Sequence, residues 1–358
     1  MTRPKDKTRG TTQHPHNRFA QRSCHSVDDG WGSLEMLYED AEPLQTQVTE
    51  LHARSVISRN QSPDVPFEQS LNPYQGCEHG CIYCFARPSH AFHDLSPGLD
   101  FETQLYAKTN AAKILAAEFA KPGYTPKTLA LGMNTDAYQP VEARYGITRQ
   151  ILEVCLEHRH PVSIVTKGRL ILRDQDLLQA LARDNLIQVM VSLTSMDPAL
   201  KRSLEPRAAG PQARLQVIRR LRDAGIPVGA LLAPIIPAIN DHQIESLIDA
   251  AADAGAEQVG WVLLRLPLEV APLFRDWLAR HYPQRAAHVM SLIQQAHGGK
   301  DYDARFGHRM RGNGPYVALL KQRVLLRARK HGLSVESGRN SLNTQAFRRR
   351  PNQSELPL

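Results

Sequence analysis

Between residues 67 and 264, short apolar runs of strand length alternate with longer segments whose apolar residues recur at helical spacing. The short runs predict six strands, and the longer segments predict five helices between them. The predicted strands are 67–74, 128–133, 162–166, 187–193, 228–235 and 258–264, and the predicted helices are 110–120, 148–158, 175–183, 211–224 and 242–254.

This alternation predicts an α/β protein in which parallel strands are joined by right-handed helical crossovers. Six such units fit a partial (β/α)6 barrel better than a sandwich or a bundle. In a barrel of this kind the ligand binds at the carboxyl ends of the strands. Polar residues that follow strands are therefore candidates for the site.

Polar side chains follow four of the predicted strands, and we expect them to converge at one edge of the sheet. Each of them taken singly is also typical of a helix N-cap or a turn. They are Asn134, Thr135 and Asp136, then Lys167, then Ser192 and Thr194, and finally Asn240 and Asp241.

The flanks of this region differ from it in composition. Residues 1–60 show little periodicity and predict a flexible basic arm, and 61–297 are predicted to form the core domain. The basic extension 298–358 contains a helical pattern at 316–331, which we expect to close the open barrel. The apolar side of that helix consists of Val317, Leu320 and Val324.

Composition narrows the class of protein. A chain of 358 residues with 42% apolar residues can bury a large core, and its odd number of cysteines, five, argues against a small disulfide-rich fold. The first residues are polar, unlike a secretory signal, and no apolar run is long enough to cross a bilayer. We therefore expect a reduced, cytoplasmic protein without a membrane segment.

The net charge of +8 is concentrated at the two ends. Residues 1–27 contribute +5 and residues 298–358 contribute +9, which leaves about −6 for the rest. Basic ends make nucleic acid a candidate partner, because Lys and Arg displace counterions from phosphates. For the arginines at 348–350 we favour a solvated, disordered end. His308 and Arg311, in an arginine-rich loop, are candidate substrate contacts.

Three of the five cysteines lie within eight residues, in the stretch CEHGCIYC at 77–84. Three thiolates this close favour one inorganic centre over a disulfide, which uses only two of them. Zinc would require a fourth ligand, and His79, His90 and His93 are near enough in sequence to supply it. A 4Fe–4S cluster held by three thiolates would instead leave one iron free for another ligand.

The spacing CxxxCxxC, formed by Cys77, Cys81 and Cys84 with the aromatic Tyr83, resembles the signature of the radical S-adenosylmethionine (radical SAM) superfamily. The resemblance implies a 4Fe–4S cluster whose unique iron binds S-adenosylmethionine. It also implies an electron donor, such as flavodoxin or ferredoxin, and reductive cleavage to methionine and a 5′-deoxyadenosyl radical. That radical would then abstract hydrogen from a substrate.

The resemblance extends over 67–264 and is closest to spore photoproduct lyase and its uncharacterised relatives. It implies that Thr135, Lys167 and Ser192 contact S-adenosylmethionine, whose amino, carboxylate and ribose groups suit hydroxyl and ammonium partners. The stretches that carry it are MNTDAYQPVE at 133–142, TKGRLILRD at 166–174, SLEPRAAGPQARL at 203–215 and APIIPAIND at 233–241.

Two further residues are candidates for the cofactor site, each with a structural alternative. Arg207 could bind a carboxylate of the cofactor, but it equally fits an ion pair with Glu205 or a surface acid. Tyr83 could stack near the cofactor, but it equally fits packing under the cysteine loop.

The chain departs from the lyase pattern at the hydrogen donor. The lyase family uses a cysteine just before the turn after the second strand, and this position is Met133, whose thioether has no S–H. Cys24 lies in the predicted arm and Cys155 within a predicted helix, so neither is a good substitute. The catalytic residues and the substrate therefore stay unassigned.

Two functions remain open at this point. The first is a radical SAM enzyme for which nucleic acid is a candidate substrate. The second is a nucleic-acid-binding module without catalysis, in which zinc or an iron–sulfur centre pins the loop. The fourth ligand distinguishes them, because a histidine that completes the site removes the open iron position.

Overall fold

The computed structural model describes residues 9–19, 44–335 and 342–349. Its main sheet has seven strands, six of which run parallel. In sheet order they are β10 (Gln258–Leu263), β9 (Val228–Ile235), β8 (Ile187–Ser192), β7 (Val162–Thr166), β6 (Leu129–Leu131), β3 (Gln69–Leu71) and the antiparallel β2 (Ser58–Arg59).

The strands predicted from the apolar runs are confirmed, with differences at their ends. β7 and β9 match their predicted bounds, whereas the predicted strand 67–74 is divided between β3 and β4 (Tyr74–Gln75). Pro73 lies between the two and has no N–H to donate to a ladder. β4 joins a second sheet with β5 (Gln104–Ala107) and β1 (Gln47–Glu50).

Helices follow the parallel strands, as the alternation predicts, and each buries one side. In the helix after β6, for example, Ile151, Leu152 and Cys155 are fully buried. The helices of the described chain are α1 (Asp100–Thr103), α2 (Ala111–Ala120), α3 (Glu142–Tyr145), α4 (Ile147–Glu157), α5 (Gln175–Ala182), α6 (Pro198–Leu204), α7 (Pro211–Asp223), α8 (Ile244–Asp253), α9 (Val270–His281), α10 (Ala286–Ala296) and α11 (Pro315–Lys330).

The gap between the two outer strands of the main sheet, β10 and β2, is bridged by loops. The Leu263 N–H at the end of β10 donates to the Met310 carbonyl at 3.1 Å. In the same loop the Arg309 guanidinium pairs with Asp64 at 2.6 Å, and the Gly307 N–H donates to the same carboxylate at 2.7 Å. The loop at 305–313 therefore connects β10 to the segment that follows β2.

The basic C-terminal helix packs on the domain with the side that the sequence pattern predicts. Val317, Leu320 and Val324 of α11 are buried. Its arginines do not simply face water, because Arg323 forms a two-bonded ion pair with Glu245 of α8, at 2.6 and 2.7 Å. Arg327 and His331 bind Asp249 of the same helix. Part of the positive charge is therefore neutralised within the fold.

The flanking segments that the structure describes pack on the domain. Thr11 is buried, and β1 pairs with β5. The Arg348 N–H donates to the His158 carbonyl at 2.8 Å, so this arginine is tied to the amino end of β7. Cys24 and Arg350 lie outside the described residues.

No helix in the described part of the chain combines the length and apolarity that crossing a bilayer requires.

Candidate cofactor site

Three cysteines lie together in the loop at 76–84, which follows β4 and which we call the cysteine loop. Cys77 and Cys81 are each 7% exposed, Cys84 is half-buried, and none of the three forms a disulfide. Burial is the main cause that raises the pKa of Cys77, and the charges of Asp136, Cys81 and Cys84 raise it further. The three thiols of the loop are therefore near enough to interact electrostatically, with Cys84 on the more accessible side.

The fully buried amide of Gln139 fixes the loop around Cys77. Its Oε1 accepts a hydrogen bond from the Glu78 N–H at 2.8 Å, and its Nε2 donates to the Gly76 carbonyl at 3.1 Å. The Cys77 N–H donates to the Phe101 carbonyl at 2.8 Å. The backbone on both sides of the first cysteine is thus held by buried hydrogen bonds, which are stronger in such a low-dielectric setting.

A buried arginine holds the second cysteine. Arg87 Nε donates to the Cys81 carbonyl at 2.9 Å, and its Nη1 donates to the Gly98 carbonyl, also at 2.9 Å. The same guanidinium pairs with Glu102 at 2.5 Å, and both side chains are completely buried. Because an unpaired charge at this depth would be very costly, Arg87 and Glu102 have to be retained together.

The donor set fits an iron–sulfur cluster. Burial raises the pKa of Cys81 to about 12 and that of Cys77 well above its usual range, although a hydrogen bond from the Asp136 backbone partly offsets the latter. Thiols in such a setting stay protonated until a strong Lewis acid replaces the proton. Three thiolates are the ligands that a 4Fe–4S cluster with one open iron needs.

The histidines proposed as a fourth zinc ligand have other partners. His79 Nδ1 lies 3.4 Å from Asp136, His90 Nε2 lies 2.9 Å from the Gln104 carbonyl, and the His93 ring stacks on Tyr106. Across the described ranges, no three His, Cys, Asp or Glu side chains gather as closely as a single metal ion requires. Three thiolates on separate irons of a cluster can be farther apart.

Asp136 and Lys167 meet above the ends of β6 and β7, as their positions after strands predict. Asp136 accepts hydrogen bonds from the Thr166 hydroxyl and the Lys167 N–H, both at 2.7 Å. Burial acts to raise the pKa of Asp136, but the nearby His79 and these hydrogen bonds outweigh it and lower that pKa. The carboxylate is therefore ionised at neutral pH and links the cysteine loop to the strand ends.

A second buried ion pair lies at the carboxyl end of β8. Arg214 binds Glu205, and it also donates to the Ser192 carbonyl at 3.0 Å. Glu205 accepts further hydrogen bonds from the Tyr83 hydroxyl and, at 2.7 Å, from the Thr194 hydroxyl. Burial acts to raise the pKa of Glu205, but the charges of Arg214 and Lys167 outweigh it and lower that pKa to about 2.

Among the cationic side chains of the site, Lys167 is the best candidate to bind an oxygen atom of the cofactor. Burial acts to lower its pKa, but the charges of Cys81 and Glu205 outweigh this and raise it. The ammonium is therefore positive, and the charges that act on it come from Cys81 of the cysteine loop and from the pair of Glu205 and Arg214. Ser192 lies beside this pair, at the end of β8, and is 1% exposed.

The other candidate cofactor residues are engaged within the protein. The Thr135 hydroxyl donates to the Tyr74 carbonyl at 2.7 Å. Arg207 pairs with Glu78 of the cysteine loop at 3.0 Å, rather than with Glu205.

Two of the polar residues expected at the same edge serve other elements. Asn240 is buried and bonds the backbone at Thr194, Pro234 and Ile236. Asp241 accepts a hydrogen bond from Tyr316 of α11 at 2.7 Å, so its carboxylate is engaged by the C-terminal helix.

Five residues that support the site are not marked as site residues by any sequence pattern. Their signal in the sequence is weak, because a buried ion pair such as Glu205 with Arg214 forms only when the fold brings its members together. Both of these lie within the stretch SLEPRAAGPQARL. The five residues are Arg87, Glu102, Gln139, Glu205 and Arg214.

The described chain offers no cysteine beside the strand ends apart from the three in the loop. Cys155 is completely buried in α4, and Met133 is half-buried after β6.

Comparison with known proteins identifies a matching family and several relatives. A family model described as "Radical SAM superfamily" matches residues 71–251. An uncharacterised protein of Mycobacterium tuberculosis is 39% identical over 233 residues, which cover 64% of this chain and 68% of that protein. An uncharacterised protein of Methanocaldococcus jannaschii is 25% identical over 238 residues, which cover 66% and 85%.

Among solved structures, spore photoproduct lyase complexed with dinucleoside spore photoproduct has a similar fold. Its TM-score is 0.59 at 13% sequence identity, and the match covers 80% of this chain and 81% of the lyase chain. At this level of identity the similarity establishes the α/β fold alone.

Proposed function

Because the chain belongs to the radical SAM superfamily, whose members use a 4Fe–4S cluster and S-adenosylmethionine, we propose that it cleaves S-adenosylmethionine reductively to start a radical reaction. Cys77, Cys81 and Cys84 would hold the cluster. When bound, the cluster supplies the electron that yields methionine and a 5′-deoxyadenosyl radical. The observation that carries the proposal is the group of three cysteine thiols in one loop, two buried and one half-buried, with no further His, Cys, Asp or Glu ligand gathered there among the described residues.

We propose that Lys167 and Ser192 contact S-adenosylmethionine directly. The Lys167 ammonium is positive and suits a carboxylate or a ribose oxygen. Thr135 would accept from the amino group, because its own proton is given to Tyr74. Tyr83 would hold the Glu205 carboxylate, and Arg207 would brace the cysteine loop through Glu78.

This proposal is tested by replacing Lys167 or Ser192 by Ala in the reconstituted protein. We expect unchanged iron content and weaker binding of S-adenosylmethionine, by about tenfold or more, measured by equilibrium dialysis. Lys113→Ala, on the exposed side of α2, is the control and should bind normally. Unchanged affinity in both site variants would remove these residues from the cofactor site.

We propose nucleic acid as the substrate class, in a cytoplasmic enzyme reduced by a flavodoxin- or ferredoxin-like donor. Arg265 supports a substrate that carries phosphate groups. Its guanidinium lies 4.1 Å from the ring centre of the half-exposed Phe85, which is next to Cys84 in the sequence. An aromatic ring with a cation at its face suits a base and a phosphate.

The substrate proposal is testable with short oligonucleotides. Binding of a fluorescent single-stranded DNA or RNA should weaken with rising salt and should weaken further in Arg265→Gln. The absence of salt-dependent binding would exclude this class, while leaving the cleavage of S-adenosylmethionine to be tested separately. A lyase-like reaction would have to return hydrogen from a group other than a cysteine at 133.

A further inference from the structure

Residues 9–19, which we call the N-terminal strap, lie outside the segment that the family model matches, yet they pack on the cysteine loop. Arg9 is 7% exposed and Thr11 is 1% exposed, although both lie in a polar stretch. Buried polar residues need partners, so the strap must be bound along its length.

The closest approach joins two glycines, one in the strap and one between Cys77 and Cys81. A Cβ on Gly10 would lie 1.6 Å from the Gly80 carbonyl oxygen, and a Cβ on Gly80 would lie 2.6 Å from Glu102. Gly80 also has a φ of +64°, which side chains disfavour. The two backbones are therefore in contact because neither position carries a side chain.

The strap also completes the buried charge that holds the loop. Glu102, which pairs with Arg87, accepts a further hydrogen bond from the Gly10 N–H at 2.8 Å. Arg9 Nη1 donates to the Glu102 carbonyl at 2.9 Å, and its Nη2 donates to the Thr46 hydroxyl at 3.2 Å.

That hydroxyl continues the connection into the cysteine loop. Thr46 donates to Glu78 at 2.8 Å, and Arg207 pairs with the same Glu78 oxygen at 3.0 Å. Glu78 lies next to Cys77. A chain of polar contacts thus runs from Arg9 to the loop, in addition to the glycine contact.

The rest of the strap is fixed by hydrogen bonds to the segment that follows the cysteine loop and by one ion pair. The Leu99 N–H donates to the Gln13 carbonyl at 3.2 Å, and the Ser96 hydroxyl donates to the Pro15 carbonyl at 2.7 Å. Arg18 forms an ion pair with Glu269 at 2.9 Å. These contacts hold the strap at both of its ends.

We propose that the N-terminal strap is the outer wall of the cluster site: it keeps the cysteine loop in its binding conformation and shields the thiols from solvent and oxidants. The role that we assign to the strap rests on the proposed function, because it assumes a cluster in the loop. The first test does not, because it measures cysteine labelling in the metal-free protein. The inference assigns a positioning role to Gly10 and Arg9, neither of which reaches the thiols.

The first test uses the metal-free protein and Gly10→Ala, with Gly123→Ala as control because a Cβ there meets no atom within 4 Å. Iodoacetamide labelling of each cysteine is followed by mass spectrometry. We expect the cysteines at 77, 81 and 84 to react about tenfold faster in Gly10→Ala, as roughly 1.4 kcal/mol less is needed to open the loop. Cys155, buried in α4, serves as the internal reference and should not change.

The second test uses protein reconstituted with iron and sulfide. In air, Gly10→Ala should lose its charge-transfer absorbance several times faster than wild type, and Arg9→Met should fall between the two. Unchanged labelling rates in Gly10→Ala would overturn the inference. If wild type bound no cluster while labelling still differed, the proposed function would fail, but the inference that the strap holds the cysteine loop and shields its thiols would stand.

Discussion

The two ends of the main sheet are built from opposite kinds of side chain. At the carboxyl ends of the strands, carboxylates are buried beside arginines, as in the pairs of Glu205 with Arg214 and Glu102 with Arg87. At the amino ends the buried groups are mainly aromatic rings. Burying a charge costs free energy even when the charge is paired, so apolar side chains would stabilise the carboxyl end at least as well.

The aromatic end is closed by the C-terminal tail. The Phe119 ring stacks on His160 with centroids 4.2 Å apart, and Phe347 of the tail lies edge-on to Phe119. Tyr124 donates to, or accepts from, His160 at 2.8 Å. These contacts need no ionised group, and they hold the tail across the starts of β6 and β7.

The contrast indicates that the two ends have different tasks. Paired charges at the carboxyl end cost stability but orient a loop and a lysine toward one site, which an apolar core could not do. The aromatic end gives stability without that orientation. Changes at the first end should therefore affect the cofactor, and changes at the second should affect only the fold.

The largest expected difference concerns iron. Cys81→Ala should abolish cluster assembly, because only two thiolates would remain for a centre that needs three. Cys155→Ala, at a completely buried position in α4, should keep its iron. Iron and sulfide assays after anaerobic reconstitution measure both, and a full cluster in Cys81→Ala would refute the ligand assignment.

The next largest effect concerns the buried ion pair. Arg214→Met leaves Glu205 charged and without its cation, so we expect a loss of roughly 3–5 kcal/mol in the free energy of unfolding. Arg222→Ala breaks an exposed pair with Glu257 and should cost less than about 1 kcal/mol. Urea unfolding separates the two, and equal losses would mean that the carboxyl end is not special.

A smaller effect is expected at the aromatic end. Phe347→Ala removes the ring that contacts Phe119 and Tyr124, which should cost roughly 1–3 kcal/mol. Iron content after reconstitution should be unchanged. A loss of iron in this variant would show that the two ends are coupled.

The smallest effect is a difference in pH dependence. Burial lowers the pKa of His160 to about 3, so the stability that depends on its neutral ring is complete above pH 6.5 and declines as the pH falls toward 3. Because the pKa of Glu205 is lowered to about 2, the stability that depends on its ionised carboxylate is lost as the pH falls from 4.5 to 2. His160→Gln should therefore flatten the decline in stability between pH 7 and 5, whereas Glu205→Gln should not, as urea unfolding at both pH values would show.

The sequence predicted the fold well because each apolar period is a local property. β7 and β9 match their predicted bounds, and the helices agree to within a few residues. The strap at 9–19 could not be predicted in this way, since its stability comes from Glu102 and Gly80, far along the chain. A polar segment that is held by distant partners has no periodicity of its own.

The site was predictable where residues are close in sequence and not where the fold assembles it. The three cysteines stand within eight positions, whereas Gln139 meets the cysteine loop across more than 50 residues. The rule that the carboxyl ends of parallel strands converge predicted that Asp136 and Lys167 lie close together. The rule did not predict the partner of Asp241, which accepts a hydrogen bond from Tyr316 of α11.

Formation of 5′-deoxyadenosine is the direct test of reductive cleavage of S-adenosylmethionine by this protein. The protein is reconstituted anaerobically with iron and sulfide, given dithionite and S-adenosylmethionine, and analysed by liquid chromatography with mass spectrometry. We expect 5′-deoxyadenosine from wild type and from Phe347→Ala, and none from Cys77→Ala. If wild-type protein carried a complete cluster and bound S-adenosylmethionine, yet formed no 5′-deoxyadenosine, the proposed function would be wrong.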